Sequence, residues 1–168
     1  VSFERNIGKR LIDLKTNHIC GLESLMRRKS AKGEIILPSQ FIEALEQLGL
    51  IDKVEMQLIK KVCIQIKEWL DQGIKVVPVA INISPLQLRN KNLTKEIMGI
   101  IREVGIPCHL ITLEITESLF VEDMELAKSI VEELRTEGFL IAIDDFGTGY
   151  SALSYLKDLK VDHLKIDI

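Results

Sequence analysis

Cysteine is scarce in this chain, which has three cysteines among its 168 residues. Cys20, Cys63 and Cys108 are odd in number and widely spaced. This spacing excludes a disulfide framework and a Cys-x-x-Cys metal site. We therefore expect free thiols in a reducing compartment, which predicts a cytoplasmic protein.

An excess of positive charge and a long apolar run are also absent. The chain has 22 Lys and Arg residues against 25 Asp and Glu residues, a formal net charge of −3. Because non-specific duplex binding needs a positive field, nucleic acid is not an expected partner. The apolar run 76–83 falls well short of the roughly 20 residues of a membrane span. With no signal peptide recognised, we expect no membrane contact.

The apolar content, 46% of the residues, is sufficient for one well-buried core and excludes a mainly disordered chain. No linker or internal repeat divides the sequence, so residues 1–168 are predicted to form one domain. Short β-rich runs alternate with segments of helical period. The predicted strands are residues 10–14, 19–26, 76–83, 110–115, 139–144 and 163–168.

Helices are predicted between these strands. One extends from an Asp52 cap to Gly73, one covers residues 93–104, and one lies between Asp123 and Gly138. The dipeptide Ser84-Pro85 opens a shorter helical turn. After an opening hairpin, strand and helix alternate, which predicts an α/β fold with a parallel sheet and helices outside it.

Two architectures fit this order, an open doubly wound sheet and a (β/α)8 TIM barrel. In four strands a small or short residue lies two positions before a polar one, so the two share a face. The pairs are Gly21 and Glu23, Ala80 and Asn82, Thr112 and Glu114, and Ala142 and Asp144. A single strand-end acid more often starts a turn or caps a helix. Four such pairs favour polar ends that converge in a barrel mouth, where active sites lie.

The strand-end residues form a set of hard oxygen donors, namely Glu23, Asn82, Glu114, Asp144 and Asp145. Such donors suit Mg²⁺, Mn²⁺ or Ca²⁺. Carboxylates in one cavity repel one another, so the set itself predicts metal, and a pair of ions would suit displacement at phosphorus. Lys165 would add positive charge near the water or phosphate; the alternative is a lysine that extends into solvent.

The run from Asp144 to Ser151 places two adjacent acids before a Gly-Thr-Gly turn, which predicts carboxylates and backbone N–H groups beside an anion. Asp145-Phe146-Gly147 also matches the metal-binding triplet of protein kinases. The other kinase motifs do not precede it, so the kinase interpretation is not favoured.

Taken in order, these motifs resemble the EAL domain family, the phosphodiesterases and receptors of the bacterial second messenger cyclic di-GMP. The matching segments are 21–25 with Arg27, 82–84, 113–118, 144–151 and 164–167. The resemblance runs from about Leu11 to the last residue. It implies a TIM-barrel-like EAL fold that binds two Mg²⁺ or Mn²⁺ ions and hydrolyses cyclic di-GMP to linear pGpG.

The resemblance also implies a role for individual residues. Metal ligands would be Glu23, Asn82, Glu114, Asp144 and Asp145. Glu117 would hold the loop after Asp144, and Lys165 would lie near the attacking water. Arg27 and Leu25 would take substrate-binding positions, with Arg27 facing a phosphate.

Three departures from the family pattern modify these expectations. Ser24 replaces an alanine on the face opposite Glu23, so the ligand is retained. Lys9-Arg10 replaces a Gln-Pro pair and affects one substrate contact. About six of the eight barrel strands are present, and the family's general base would lie beyond Ile168. We therefore expect the N-terminal portion of a barrel, a piece that alone associates and turns over little substrate.

Two alternatives to the phosphodiesterase are retained. One is a degenerate module that binds cyclic di-GMP without cleaving it. The other is a metal-dependent barrel enzyme acting on another phosphate or an enolisable substrate, since a fold alone does not fix function. In the leading interpretation the chain belongs to a larger signalling protein with sensor or cyclase modules, and a homodimer is a further expectation.

Overall fold

A single sheet organises the chain in the computed structural model, which describes residues 2–30, 32–147 and 159–166. Its described strands are β1 (Ser2–Ile12), β2 (Ile19–Lys29), β3 (Ile35–Ile36), β4 (Val79–Asn82), β5 (Ile111–Thr116), β6 (Leu140–Phe146) and β7 (His163–Ile166). The described helices are α1 (Ile42–Gln47), α2 (Ile51–Asp71), α3 (Pro85–Leu88), α4 (Leu93–Val104), α5 (Glu117–Glu122) and α6 (Met124–Thr136).

The strand order is β1-β2-β4-β5-β6-β7, with the short β3 paired to β2 outside this path. β1 and β2 form an antiparallel hairpin, and the strands from β2 through β4, β5 and β6 to β7 are parallel. The six strands of this path curl into a half-barrel, which confirms the predicted incomplete TIM-barrel-like fold. β1 begins much earlier than the predicted strand 10–14, and β3 was not predicted. Residues 167 and 168 of the predicted last strand lie outside the described residues.

The helix boundaries follow side-chain chemistry in two cases and packing in a third. Ser84 Oγ accepts a hydrogen bond from Gln87 N at the start of α3, and the Asp123 carboxylate accepts one from Leu126 N at the start of α6. Both predicted starts are therefore confirmed. The predicted Asp52 cap is wrong: Asp52 lies in the first turn of α2, whose N-cap is Leu50. The buried Ile51 explains the earlier start, because its packing holds the preceding turn.

The main core lies between the convex face of the sheet and the helices α2, α4 and α6. From β5, Ile111, Leu113 and Ile115 join this core. Thr112 and Glu114 alternate with them and therefore face the concave side of the sheet. Among the described residues no helix is both long and apolar enough to cross a membrane. The concave face is thus where the strands present their polar residues.

Candidate active site

The register of the parallel strands places the predicted acidic residues on one face. Glu23 of β2 pairs with Ala80, and Asn82, two residues further along β4, pairs with Glu114. Asp144 lies two residues beyond Ala142, the partner of Glu114. A step of two residues returns a side chain to the same face. All four polar residues therefore face the concave side. Their position moves two residues further along from β2 to β4 and again from β5 to β6, whereas Asn82 and Glu114 stand at the same level.

Small residues leave a cavity beside these polar groups. The cavity has a volume of about 150 Å³. Its lining includes Gly21, Ala80, Thr112 and Ala142, the four residues that precede the polar ones by two positions, together with Glu114 and Lys165. The small residues that precede the polar ones in the sequence therefore leave an open cavity on the concave face.

The Lys165 ammonium joins the carboxylates of three strands. Its Nζ lies 2.9 Å from Glu114 Oε1, 3.2 Å from Asp144 Oδ2 and 3.7 Å from Glu23 Oε2. The Lys165 side chain is 24% exposed, so it lies within the cluster rather than extending into solvent. We call Glu23, Glu114, Asp144 and Lys165 the acidic cluster.

Charge and burial act against each other within the acidic cluster. Burial raises the pKa of Glu114 above its usual range, Lys165 opposes this rise, and Glu23 and Asp144 add to it. For Lys165, burial lowers the pKa, but the hydrogen bond to Glu114 and the three carboxylate charges outweigh it and raise the pKa overall. Glu114 is 1% exposed, and its Oε2 has no hydrogen-bond partner among the described residues.

The loop after β6 is held by a second buried carboxylate. Glu117, the first residue of α5, accepts a hydrogen bond from Gly147 N at its Oε2, at 2.8 Å. Asp145 adopts a left-handed backbone with φ of +55°, and its N–H donates to Asp144 Oδ1 at 3.1 Å. This conformation is uncommon outside glycine, although Asp tolerates it better than most residues. Residues 148–151 of the predicted motif lie outside the described residues.

Two predicted substrate residues share the face of Glu23 without joining the acidic cluster. Leu25 and Arg27 follow Glu23 at two-residue steps in β2. Arg27 Nη1 donates to the carbonyl of its neighbour Met26 at 2.7 Å, so the guanidinium is held by its own strand. Arg27 is also about 13 Å from Glu23 along the strand.

Lys9 is a site residue to which the sequence prediction gave no role at the acidic cluster. In β1 it pairs with Glu23, and its Nζ lies 3.8 Å from Glu23 Oε2. The sequence marks Lys9 only as a departure from the family pattern. The preceding Gly8 was the one available signal, since glycine within a strand often marks a bulge.

The donor chemistry of the acidic cluster suits a hard divalent cation. The three carboxylates offer only oxygen atoms as metal ligands. The buried Glu114 Oε2 has no hydrogen-bond partner in the described structure. No three His, Cys, Asp or Glu side chains in the described ranges stand at metal-ligand spacing. In this arrangement Lys165 serves as the counter-ion at the point where the carboxylates meet.

The fold and the acidic cluster together define an α/β domain of barrel type with its polar site on the concave face of a curled parallel sheet. The chain belongs to the EAL domain family, which it matches over residues 11–168. This match confirms the family resemblance seen in the sequence.

Named relatives and a solved structure extend the comparison. The chain is 39% identical over 148 residues to the bifunctional diguanylate cyclase/cyclic di-GMP phosphodiesterase MucR of Pseudomonas aeruginosa, covering 88% of this chain and 22% of MucR. It is 36% identical over 154 residues to the oxygen sensor protein DosP of Escherichia coli, covering 91% of this chain and 19% of DosP. The solved cyclic di-GMP complex of the MucR phosphodiesterase superposes with a TM-score of 0.91 at 32% identity, over 98% of this chain and 66% of that chain. The chain thus spans about a fifth of the length of these curated relatives.

Proposed function

We propose that the chain is the phosphodiesterase domain of a cyclic di-GMP signalling protein, which hydrolyses cyclic di-GMP to linear pGpG. The observation that carries this proposal is the convergence of Glu23, Glu114 and Asp144 on the Lys165 ammonium, in a chain of the EAL domain family. Support comes from the solved relative, which is a phosphodiesterase in complex with cyclic di-GMP.

Two Mg²⁺ or Mn²⁺ ions are part of this proposal. Their ligands would be Glu23, Asn82, Glu114, Asp144 and Asp145. When bound, such ions activate water and neutralise the phosphoryl oxygens during displacement at phosphorus. The unpartnered Oε2 of Glu114 supports this assignment, because a buried carboxylate oxygen without a partner is costly unless something binds it.

The other site residues would position these groups. Glu117 holds the loop after Asp144 and Asp145 through Gly147 N. Lys165 orients the carboxylates and would place positive charge near the attacking water. Arg27 and Leu25 would contact the substrate, with Arg27 turning from the Met26 carbonyl to a phosphate.

A second candidate is a receptor that binds cyclic di-GMP without cleaving it. Lys9, one of the two residues that replace the family's Gln-Pro pair, lies 3.8 Å from Glu23 Oε2 and adds a positive charge beside a proposed metal ligand, and this observation favours the receptor. In either case we propose that residues 1–168 form part of one EAL module in a larger, cytoplasmic protein with sensor or cyclase modules, and that the module forms homodimers.

The test uses the full natural protein that contains this chain. It is incubated with cyclic di-GMP and Mg²⁺ or Mn²⁺, and the nucleotides are separated by chromatography. We expect pGpG, lost on Glu114→Gln and retained on the matched control Glu132→Gln in the exposed face of α6. Tight binding without pGpG in either metal would establish the receptor instead. A protein that neither binds nor hydrolyses cyclic di-GMP would overturn both functions.

A further inference from the structure

A bulge in β1 brings a second lysine to the acidic cluster. Ile7 pairs with Ser24, but Lys9 pairs with Glu23, so Gly8 is an extra residue with no partner of its own. Residues directly opposite each other in an antiparallel pair point to the same face. The bulge therefore turns Lys9 onto the concave face. Without it, Gly8 would stand opposite Glu23 and no side chain would reach this carboxylate from β1.

Two ammonium groups consequently share one carboxylate oxygen. Lys9 Nζ lies 3.8 Å and Lys165 Nζ 3.7 Å from Glu23 Oε2. The two lysines differ in how firmly they are held. Lys165 also contacts Glu114 and Asp144, whereas the Lys9 side chain is 66% exposed on a flexible stem. Lys9 can therefore leave the carboxylate when another cation arrives.

We propose that Lys9 is a positioning residue that acts as a tethered cation of Glu23 and competes with divalent metal ions for this carboxylate. The inference rests on the metal site of the proposed function. By this competition Lys9 raises the metal concentration at which the site fills. A neutral residue at position 9 would leave Glu23 with Lys165 alone, and a divalent ion would meet less repulsion.

The size of the effect follows from charge, distance and solvent. A unit charge held a few ångströms from a divalent ion would repel it appreciably even at the dielectric constant of water. Exposure and salt screening reduce this repulsion. We expect removal of the Lys9 charge to tighten Mn²⁺ binding about three- to tenfold at low ionic strength, with a smaller gain at 0.5 M salt.

The experiment is a calorimetric titration of Mn²⁺ into the full natural protein, without nucleotide, at low and high salt. Four forms are compared: wild type, Lys9→Gln, Lys9→Arg and the control Lys15→Gln. Lys15 is an exposed lysine in the turn between β1 and β2. Tighter binding by Lys9→Gln alone, with the affinity of Lys9→Arg close to wild type, would support the inference. A role of Lys9 in folding alone would not distinguish Gln from Arg in this way.

Equal Mn²⁺ affinity in wild type and Lys9→Gln would overturn the inference and leave the proposed metal site intact. Equal gains for Lys9→Gln and Lys15→Gln would also overturn it, because net charge alone would then explain the change. If neither wild type nor Lys9→Gln binds Mn²⁺, the inference fails together with the metal-dependent part of the proposed function.

Discussion

Lys165 Nζ lies 2.9 Å from Glu114 Oε1, and this contact joins β7 to β5 across the intervening β6. The same ammonium also contacts Asp144 on β6 and Glu23 on β2. One cation therefore holds carboxylates from three other strands. Its removal would leave these groups facing one another, and Glu114 is buried.

We expect Lys165→Met to lower the free energy of unfolding by about 2 to 4 kcal/mol in metal-free buffer, because it leaves a buried carboxylate without its counter-ion. The measurement is urea unfolding followed by circular dichroism. Lys60→Met is the matched control, since Lys60 pairs with Glu103 at 2.6 Å on the exposed surface. Loss of such an exposed pair costs about 0 to 1 kcal/mol. Equal losses for the two variants would contradict the structural role of Lys165.

Glu117→Ala should loosen the loop after β6. The change removes the buried carboxylate whose Oε2 accepts a hydrogen bond from Gly147 N at 2.8 Å. We expect the Gly147 amide to exchange with deuterium at least about tenfold faster, since loss of a hydrogen bond to a charged group costs about 1.5 to 3 kcal/mol. Amide exchange by NMR measures this directly. Glu132→Ala in α6 is the control and should leave the Gly147 rate unchanged.

Ser24→Ala should stabilise the protein. The Ser24 side chain is 1% exposed, and its Oγ has no partner among the described residues. A buried hydroxyl without a hydrogen bond costs about 1 to 3 kcal/mol. We expect the unfolding free energy to rise by about 1 kcal/mol or more. Ser129→Ala on the exposed face of α6 is the control, because it makes the same substitution without removing a buried hydroxyl. A rise in unfolding free energy for Ser24→Ala no larger than that for Ser129→Ala would count against the prediction.

Asp162→Asn should destabilise the protein in a pH-dependent manner. The Asp162 carboxylate accepts hydrogen bonds from Ile141 N at 2.9 Å and Arg135 Nη1 at 2.6 Å. Burial alone would raise the pKa of Asp162, but these two donors outweigh it and lower the pKa below its ordinary value of 3.8. A lowered pKa means that the stabilisation is fully present above pH 3.8 and is lost as the pH falls through the lowered value.

The cost of Asp162→Asn should therefore be about 1 to 3 kcal/mol at pH 7 and shrink below pH 4. Urea unfolding at several pH values measures this difference. The control is Asp71→Asn, which removes an exposed helical pair with Lys67 worth about 0.3 to 0.5 kcal/mol. A difference that stays constant down to pH 3 would show that the Asp162 charge is not the source of the stabilisation.

Much of the concave face could be predicted from the sequence because strand period alone determines it. Alternation in β5 places Glu114 on the other face of the sheet from Leu113. The small residues that precede each polar residue line the cavity. The start of α2 could not be predicted in this way. Its position depends on the burial of Ile51, a tertiary contact that overrides the capping preference of Asp52.

The approach of Lys9 to Glu23 also escaped prediction, for a different reason. Pairing in an antiparallel hairpin depends on register. One extra residue in a strand moves the side chains of the residues that follow it to the other face of the sheet. The Arg27 guanidinium illustrates a third limit. Its position in the strand was predictable, but its hydrogen bond to the Met26 carbonyl depends on the rotamer of a long side chain.

The contacts of Lys165 also constrain the order in which the sheet is completed. A ribosome makes β2, β5 and β6 before β7, so the three carboxylates exist for some time without the ammonium that joins them. During this interval, burial of Glu114 is unfavourable. The helices can form early from local contacts, but Glu114 and Asp144 gain their ammonium partner only when the strand that carries Lys165 docks. Pairing of these two carboxylates with Lys165 therefore coincides with docking of β7, and a nascent chain halted before β7 would leave Glu114 and Asp144 without the Lys165 contact.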